Sequence, residues 1–185
     1  MTPFEYQSVL ISIVLGLGMT HLLSSVHRLV QAREQVQLHW LPLAWTALIF
    51  VAQVEWWWAN FSLLSESDYN FFYFLFILLS PVALYLAAAF VLPDIEHGIS
   101  YDLRAYYFRV RTWMFGALAF QLLCDGLRRA AQSDSATSFG VLSNVAAATM
   151  FIVLAITRKV WYHVAVTVIV TALFLSFVIR DVINL

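Results

Sequence analysis

Six stretches of this chain, each of about 20 residues or more and dominated by apolar side chains, follow one another with little between them. They run Phe4–Gln31, Leu38–Leu64, Asn70–Leu92, Arg104–Ala130, Ser138–Thr157 and Val160–Asn184. As an α-helix rising about 1.5 Å per residue, each is long enough to cross the roughly 30 Å apolar layer of a bilayer. The connections are short: Ala32–Gln37, Ser65–Tyr69, Pro93–Leu103, Ala131–Thr137 and a turn at Arg158-Lys159. Backbone polar groups surrounded by hydrocarbon must pair within their own segment, and the alternation of a β-barrel is absent. The expected fold is all-α, a single-domain bundle of six transmembrane helices joined by short loops.

Composition supports this solvent. Hydrophobic residues make up 62% of the chain and charged residues 11%, against about 25% charged in a soluble domain. The net charge of −1 names no partner, no basic run suggests nucleic acid, and the long apolar segments make the lipid bilayer the expected partner. The single cysteine, Cys124, forms no internal disulfide and no thiolate zinc site. Met-Thr-Pro-Phe-Glu-Tyr-Gln at the start lacks the positive region of a signal peptide, so the first segment reads as a retained span.

Orientation follows from lysine and arginine. With both termini outside, Arg28, Arg33, Arg104, Arg109, Arg111, Arg158 and Lys159 lie toward the cytoplasm, and Arg128, Arg129 and Arg180 lie outside. That asymmetry matches the preference of cytoplasmic loops for positive charge. The expected location is a bacterial inner membrane. The acidic loop Ser65-Glu-Ser-Asp68 then faces outward. Trp56, Trp57, Trp58, Tyr69 and Tyr73 form an outer aromatic belt. Trp40, Trp45, Tyr106, Tyr107, Trp113, Trp161 and Tyr162 form an inner one.

Within the first segment, Ser8, Ser12, Gly16, Thr20 and Ser24 recur every fourth residue, ending at Arg28. Small faces mark helix contacts in lipid, because close backbone approach replaces the hydrophobic drive. This stripe is expected to pack on a neighbouring span or on a second copy of the chain, in a homo-oligomer. A bulky residue at Gly16 should then hold the helices apart. Ala44, Ala52, Ala59 and Ser62 flank Glu55, and Ala136, Gly140, Asn144 and Ala148 form a similar face. Pro81 interrupts the third segment after Ser80, where a missing amide donor favours a kink.

Ionisable residues at depth are expensive in a bilayer and mark function. Glu55 has no charged neighbour three or four positions away and needs a partner from another helix. His21 adjoins the small stripe. On the fourth segment Arg104, Tyr107, Arg111, Gln121, Asp125 and Arg128 fall near one face, which should turn inward or line a wet cavity. Asp125 has Arg128 and Arg129 three and four positions on, a local ion pair. Arg111 is also placed to reach inner-leaflet phosphates. Glu55, His21, Arg111, Gln121 and Asp125 are thus the candidates for an ion or proton pathway. His27, Asp94, Glu96, His97 and His163 all fall toward the cytoplasmic side and form a candidate metal or haem set, although their spacing matches no established motif.

No phosphate loop, nucleophile elbow or zinc-protease motif is present, and no cofactor is named by the residues. The leading expectation is a small channel or transporter for protons, small ions or solutes. A metal- or haem-dependent membrane enzyme and a structural or sensory subunit are the alternatives. All of them require hydrocarbon as solvent, so the purified chain should be monodisperse in detergent and should aggregate when detergent is removed. Size-exclusion chromatography in both conditions checks this.

Overall fold

The computed structural model describes residues 3–61, 71–95, 99–132 and 138–183, with backbone alone at 3–6, 60–61, 132 and 177–183. The described residues form six helices: α1 (Pro3–Gln31), α2 (Trp40–Phe61), α3 (Phe71–Val91), α4 (Leu103–Gln132), α5 (Phe139–Ile156) and α6 (Val160–Ile183). Each apolar stretch of the sequence is one helix. Three carry segments long and apolar enough to cross a membrane: Gln7–Gln31, Phe71–Val91 and Phe139–Ile156. Helices α2 and α4 dilute their apolar character with tryptophans and arginines. The acidic loop at Ser65–Asp68, together with Tyr69, Glu96 and His97, lies outside the described residues.

Helix α4 is the longest element, 30 residues or about 45 Å. It packs along α3 and α5, α3 packs on α1, and α2 lies across α1, α3 and α4. Helix α6 rests on α2 and α5. One end of the bundle is tied by its loops. Val36–Gln37 (β1) pairs in parallel with Tyr101–Asp102 (β2), Val36 opposite Tyr101, which fixes the α1–α2 connection to the α3–α4 connection. Asp102 then caps α4, its Oδ1 accepting from the amides of Arg104 at 2.8 Å and Ala105 at 3.1 Å. Ahead of α2, the Nδ1 atom of His39 accepts from the Leu41 amide at 3.3 Å. Burial first, and then the Arg104 charge, push the His39 pKa down against the opposing pull of Asp102. Both hold the ring neutral, as an accepting Nδ1 requires. Arg28 meets Asp94 at 3.0 Å on the same end.

The helix faces follow a period of 3.6. Among the described side chains of α1 the buried residues are Gln7, Ile11, Leu15, Gly18, Leu22, Ser25 and Leu29, spaced by fours and threes. The stripe of small residues does not share that face. A strict spacing of four drifts about 40° per step around an α-helix, so Ser8 to Ser24 winds about 160° around α1. Ser12, Thr20 and Ser24 are exposed, and Ser8 and Gly16 are partly so. A Cβ at Gly16 would meet nothing within 4 Å. Thr20 returns its hydroxyl to the Gly16 carbonyl at 2.7 Å, and Ser12 accepts from the Trp57 indole at 3.1 Å. The close approach within the chain is at Gly18, where a Cβ would lie 2.5 Å from Oε1 of the buried Gln53 on α2.

The aromatic residues divide differently from two interfacial belts. Trp57, Trp58, Trp113 and Trp161 are exposed, but Trp45, Trp56 and Tyr107 are buried. Trp45 meets Phe115 edge-on at 4.8 Å and Phe151 at 5.6 Å. Tyr107 meets Phe115 at 6.0 Å. Indole and phenol groups sit at an interface because their polar tips want water; here those tips find partners inside the bundle.

These contacts separate the two glycines. Gly18→Leu is expected to force Gln53 aside and to destabilise the α1–α2 contact by about 1–3 kcal/mol, the usual penalty of overpacking. Gly16→Ala is expected to hold or raise stability, since it removes a helix-interior glycine. Thermal unfolding of the two variants in detergent checks the ranking.

Candidate functional site

The inward face of α4 reads Tyr107, Arg111, Met114, Leu118, Gln121, Asp125 and Arg128, every one buried. Its spacing alternates fours and threes, so polar groups share a seam with apolar ones. Asp125 is the most heavily bonded. Its carboxylate accepts from the Trp56 indole of α2 at 3.1 and 3.3 Å and from the Ser80 hydroxyl of α3 at 2.9 Å. Gln121 donates its amide to Oδ2 from one turn earlier. Arg128 lies 3.7 Å from Oδ1, one turn later. Ser80 reaches this point from beside Pro81, through which α3 continues to Val91. Buried charge persists only when paired and hydrogen-bonded, and here three helices supply the donors.

Beside this group is a cavity of 390 Å³ bordered by α2, α4, α5 and α6, with Leu84 of α3, within the usual range for small-molecule sites. Glu55, Asp125, Arg128, Arg129 and Asn144 line its polar part. Leu48, Leu122, Met150, Val170 and Phe174 are among its apolar walls, as are Trp45 and Phe151. The small residues Ala52 and Ala59 share this wall with Glu55; they leave room beside the carboxylate and form no tight helix contact. Glu55 is partly exposed, and among the described residues it has no hydrogen bond or ion pair. Asn144 Nδ2 is buried without a partner. Gly126 admits the Asn144 side chain, since a Cβ there would lie 3.3 Å from Asn144 Cβ.

Helix α6 borders the cavity just beyond its first two turns. Among its described side chains, those buried are His163, Val166 and Thr167. His163 Nδ1 faces the Tyr107 hydroxyl at 2.9 Å, and Nε2 faces the Thr157 carbonyl at 3.1 Å. A carbonyl only accepts, so Nε2 carries the proton, and in the neutral ring Tyr107 donates to Nδ1. Trp45 donates to Thr167 at 3.0 Å, and Thr167 donates to the His163 carbonyl at 2.7 Å. Beyond these turns Val170, Leu173 and Phe174 border the cavity.

No protein-family model, curated protein or solved structure matches this chain. The reading of the site therefore rests on its own geometry.

Of the five pathway candidates, Glu55, Gln121 and Asp125 line one cavity. Arg111 lies toward the other end of α4, where it holds the C-terminus of α5. It donates to the carbonyls of Thr157 at 3.1 Å and Ile156 at 3.3 Å, and to that of Phe108 in its own helix. A cation there complements the helix dipole. His21 is on α1, which contributes nothing to the cavity lining. The three described members of the candidate metal set, His27, Asp94 and His163, form no cluster. His163 is inside the bundle with both ring nitrogens engaged, His27 is exposed, Asp94 pairs with Arg28, and Glu96 and His97 lie outside the described residues. Among the described residues no three histidine, cysteine or acidic side chains cluster for a metal. Sequence reasoning missed Trp56 and Ser80 as partners of Asp125. The only available signal was negative: a buried carboxylate needs more donors than its own helix carries.

Asp125→Ala takes one shared buried acceptor away from Trp56, Ser80, Gln121 and Arg128 and is expected to destabilise the fold by about 3–5 kcal/mol. Ser80→Ala removes one of several donors and should cost about 1–3 kcal/mol. Thermal unfolding in detergent should rank them in that order.

Proposed function

We propose that this chain is an integral membrane protein in which all six helices cross the bilayer, both termini outside, and that it carries protons, small ions or small solutes by way of the cavity beside Glu55. The inverted polarity of α4 supports six spans. Along its middle the large outward side chains are Trp113, Phe120, Leu123 and Leu127, with exposed Arg104, Arg109 and Arg129 toward its two ends, whereas Arg111, Asp125 and Arg128 turn inward. A helix in water is arranged the other way round. The outer surfaces of α5 and α6 carry Leu142, Val145 and Ile152 on one and Val168, Ile169 and Leu175 on the other. At 22 and 24 residues, α2 and α6 reach about 33 and 36 Å.

The observation that carries the functional reading is the carboxylate of Glu55, which among the described residues makes no hydrogen bond or ion pair and lies on the wall of a cavity bordered by helices α2 to α6. An intramembrane acid without an ion-pair partner is suited to exchange a proton or a cation. Trp45 and Phe151 line the same cavity, and Phe115 packs on both.

Liposomes containing the protein and a pH-sensitive dye are expected to dissipate an imposed proton gradient faster than protein-free liposomes. Glu55→Gln should return the rate toward the protein-free value, with Ser143→Ala, on an exposed face of α5, as the unaffected control. A wild-type rate no higher than that of protein-free liposomes removes proton transport from the reading.

A further inference from the structure

Building on the proposal that the cavity is a ligand site, we infer that its ligand is an amphiphile, with an ammonium head held at Glu55 and an alkyl chain lying along the apolar wall toward Trp45 and Phe151.

The polar groups of the cavity are unequally available. The Asp125 carboxylate is taken up by Trp56, Ser80, Gln121 and Arg128, and the Gln121 amide and the Arg128 guanidinium are engaged with it in turn. Arg129 is exposed and extends over the first turn of α5, its Nη1 3.6 Å from where a Gly140 side-chain carbon would begin. Glu55 is the acid left open, and it faces the same space as two indoles, Trp45 and Trp56. The Trp56 ring is fixed by its bond to Asp125. A carboxylate together with aromatic rings is a recognition set for organic ammonium ions. Asn144, with its buried and unpartnered Nδ2, adds a donor for an oxygen on the same head, so an amino-alcohol head uses both.

The rest of the cavity selects the tail. Leu48, Ala52, Leu122, Met150 and Val170 present no polar side-chain atom that binds a hydrophilic solute. From Glu55 to Trp45 is ten residues of α2, about 15 Å along the helix, which suits a dodecyl chain. The bilayer itself supplies molecules of this shape, and Val170, Leu173 and Phe174 of α6 border their place.

The test is equilibrium binding of tritiated N-dodecylethanolamine to the protein in lipid nanodiscs, with protein-free nanodiscs as background. Dodecanol and dodecanoate are the head-group controls. Saturable binding of the amine is expected, with dodecanol and dodecanoate at least tenfold weaker. Glu55→Gln should lose at least tenfold for the amine and nothing for dodecanol. Ala52→Trp, which fills the cavity, should abolish binding of the amine, with circular dichroism and thermal unfolding reporting that both variants are folded. Dodecanoate binding more tightly than the amine, in an Ala52→Trp-sensitive way, overturns the ammonium head and transfers the site to Arg129, while the cavity stands. Amine binding that neither substitution changes, or binding of all three probes at background level, overturns the proposal and the cavity reading together. Flux in liposomes is not part of this readout, so failure of transport and failure of the ligand class are separable.

Discussion

A single carboxylate organises one half of this molecule. Asp125 sits in an apolar bundle where an ion left alone is forbidden, so α2 supplies Trp56, α3 supplies Ser80 and α4 supplies Gln121 and Arg128. Each partner has direction as well as distance. Apolar packing tolerates sliding and rotation, but a carboxylate met by an indole, a hydroxyl, an amide and a guanidinium does not. The register of three helices is set at that point, and the walls of the neighbouring cavity inherit the order.

The opposite half is organised by aromatic edges and one histidine. Trp45, Phe115, Phe151, Tyr107 and His163 meet at centroid distances of 4.8–6.1 Å. Their polar tips are satisfied by Thr167, Thr157 and each other. With the β1–β2 pairing and the Asp102 cap nearby in the chain, that end has both backbone and side-chain ties. The cavity lies beside the two organised regions, bordered in part by α5 and α6, which take part only in the second.

Much of the fold is legible in the residues because apolar length is a local property. The bounds of all six helices follow the apolar runs within a few positions, and the polar seam of α4 is inward as its spacing requires. The differences share a cause. The stripe from Ser8 to Ser24 has a period of four and the helix has 3.6, so the stripe winds away from the face buried within one copy of the chain. Trp45 and Tyr107 look interfacial in the sequence because their partners, Thr167 and His163, lie 122 and 56 residues further along the chain. His163 resembles a metal candidate on depth alone, although Tyr107 and Thr157 occupy it. Asp125 is visible as an ion pair with Arg128, but its bonds to Trp56 and Ser80 depend on how helices turn toward one another, which no single helix encodes.

The anchoring of α6 has a mechanical consequence. A rod gripped over its first two turns and bordered by empty space further along is a lever: a small rotation at the grip sweeps its distal part through a much larger arc. The volume beside Glu55 can therefore be altered by tilting one helix, without dismantling the hydrogen bonds that hold the other five.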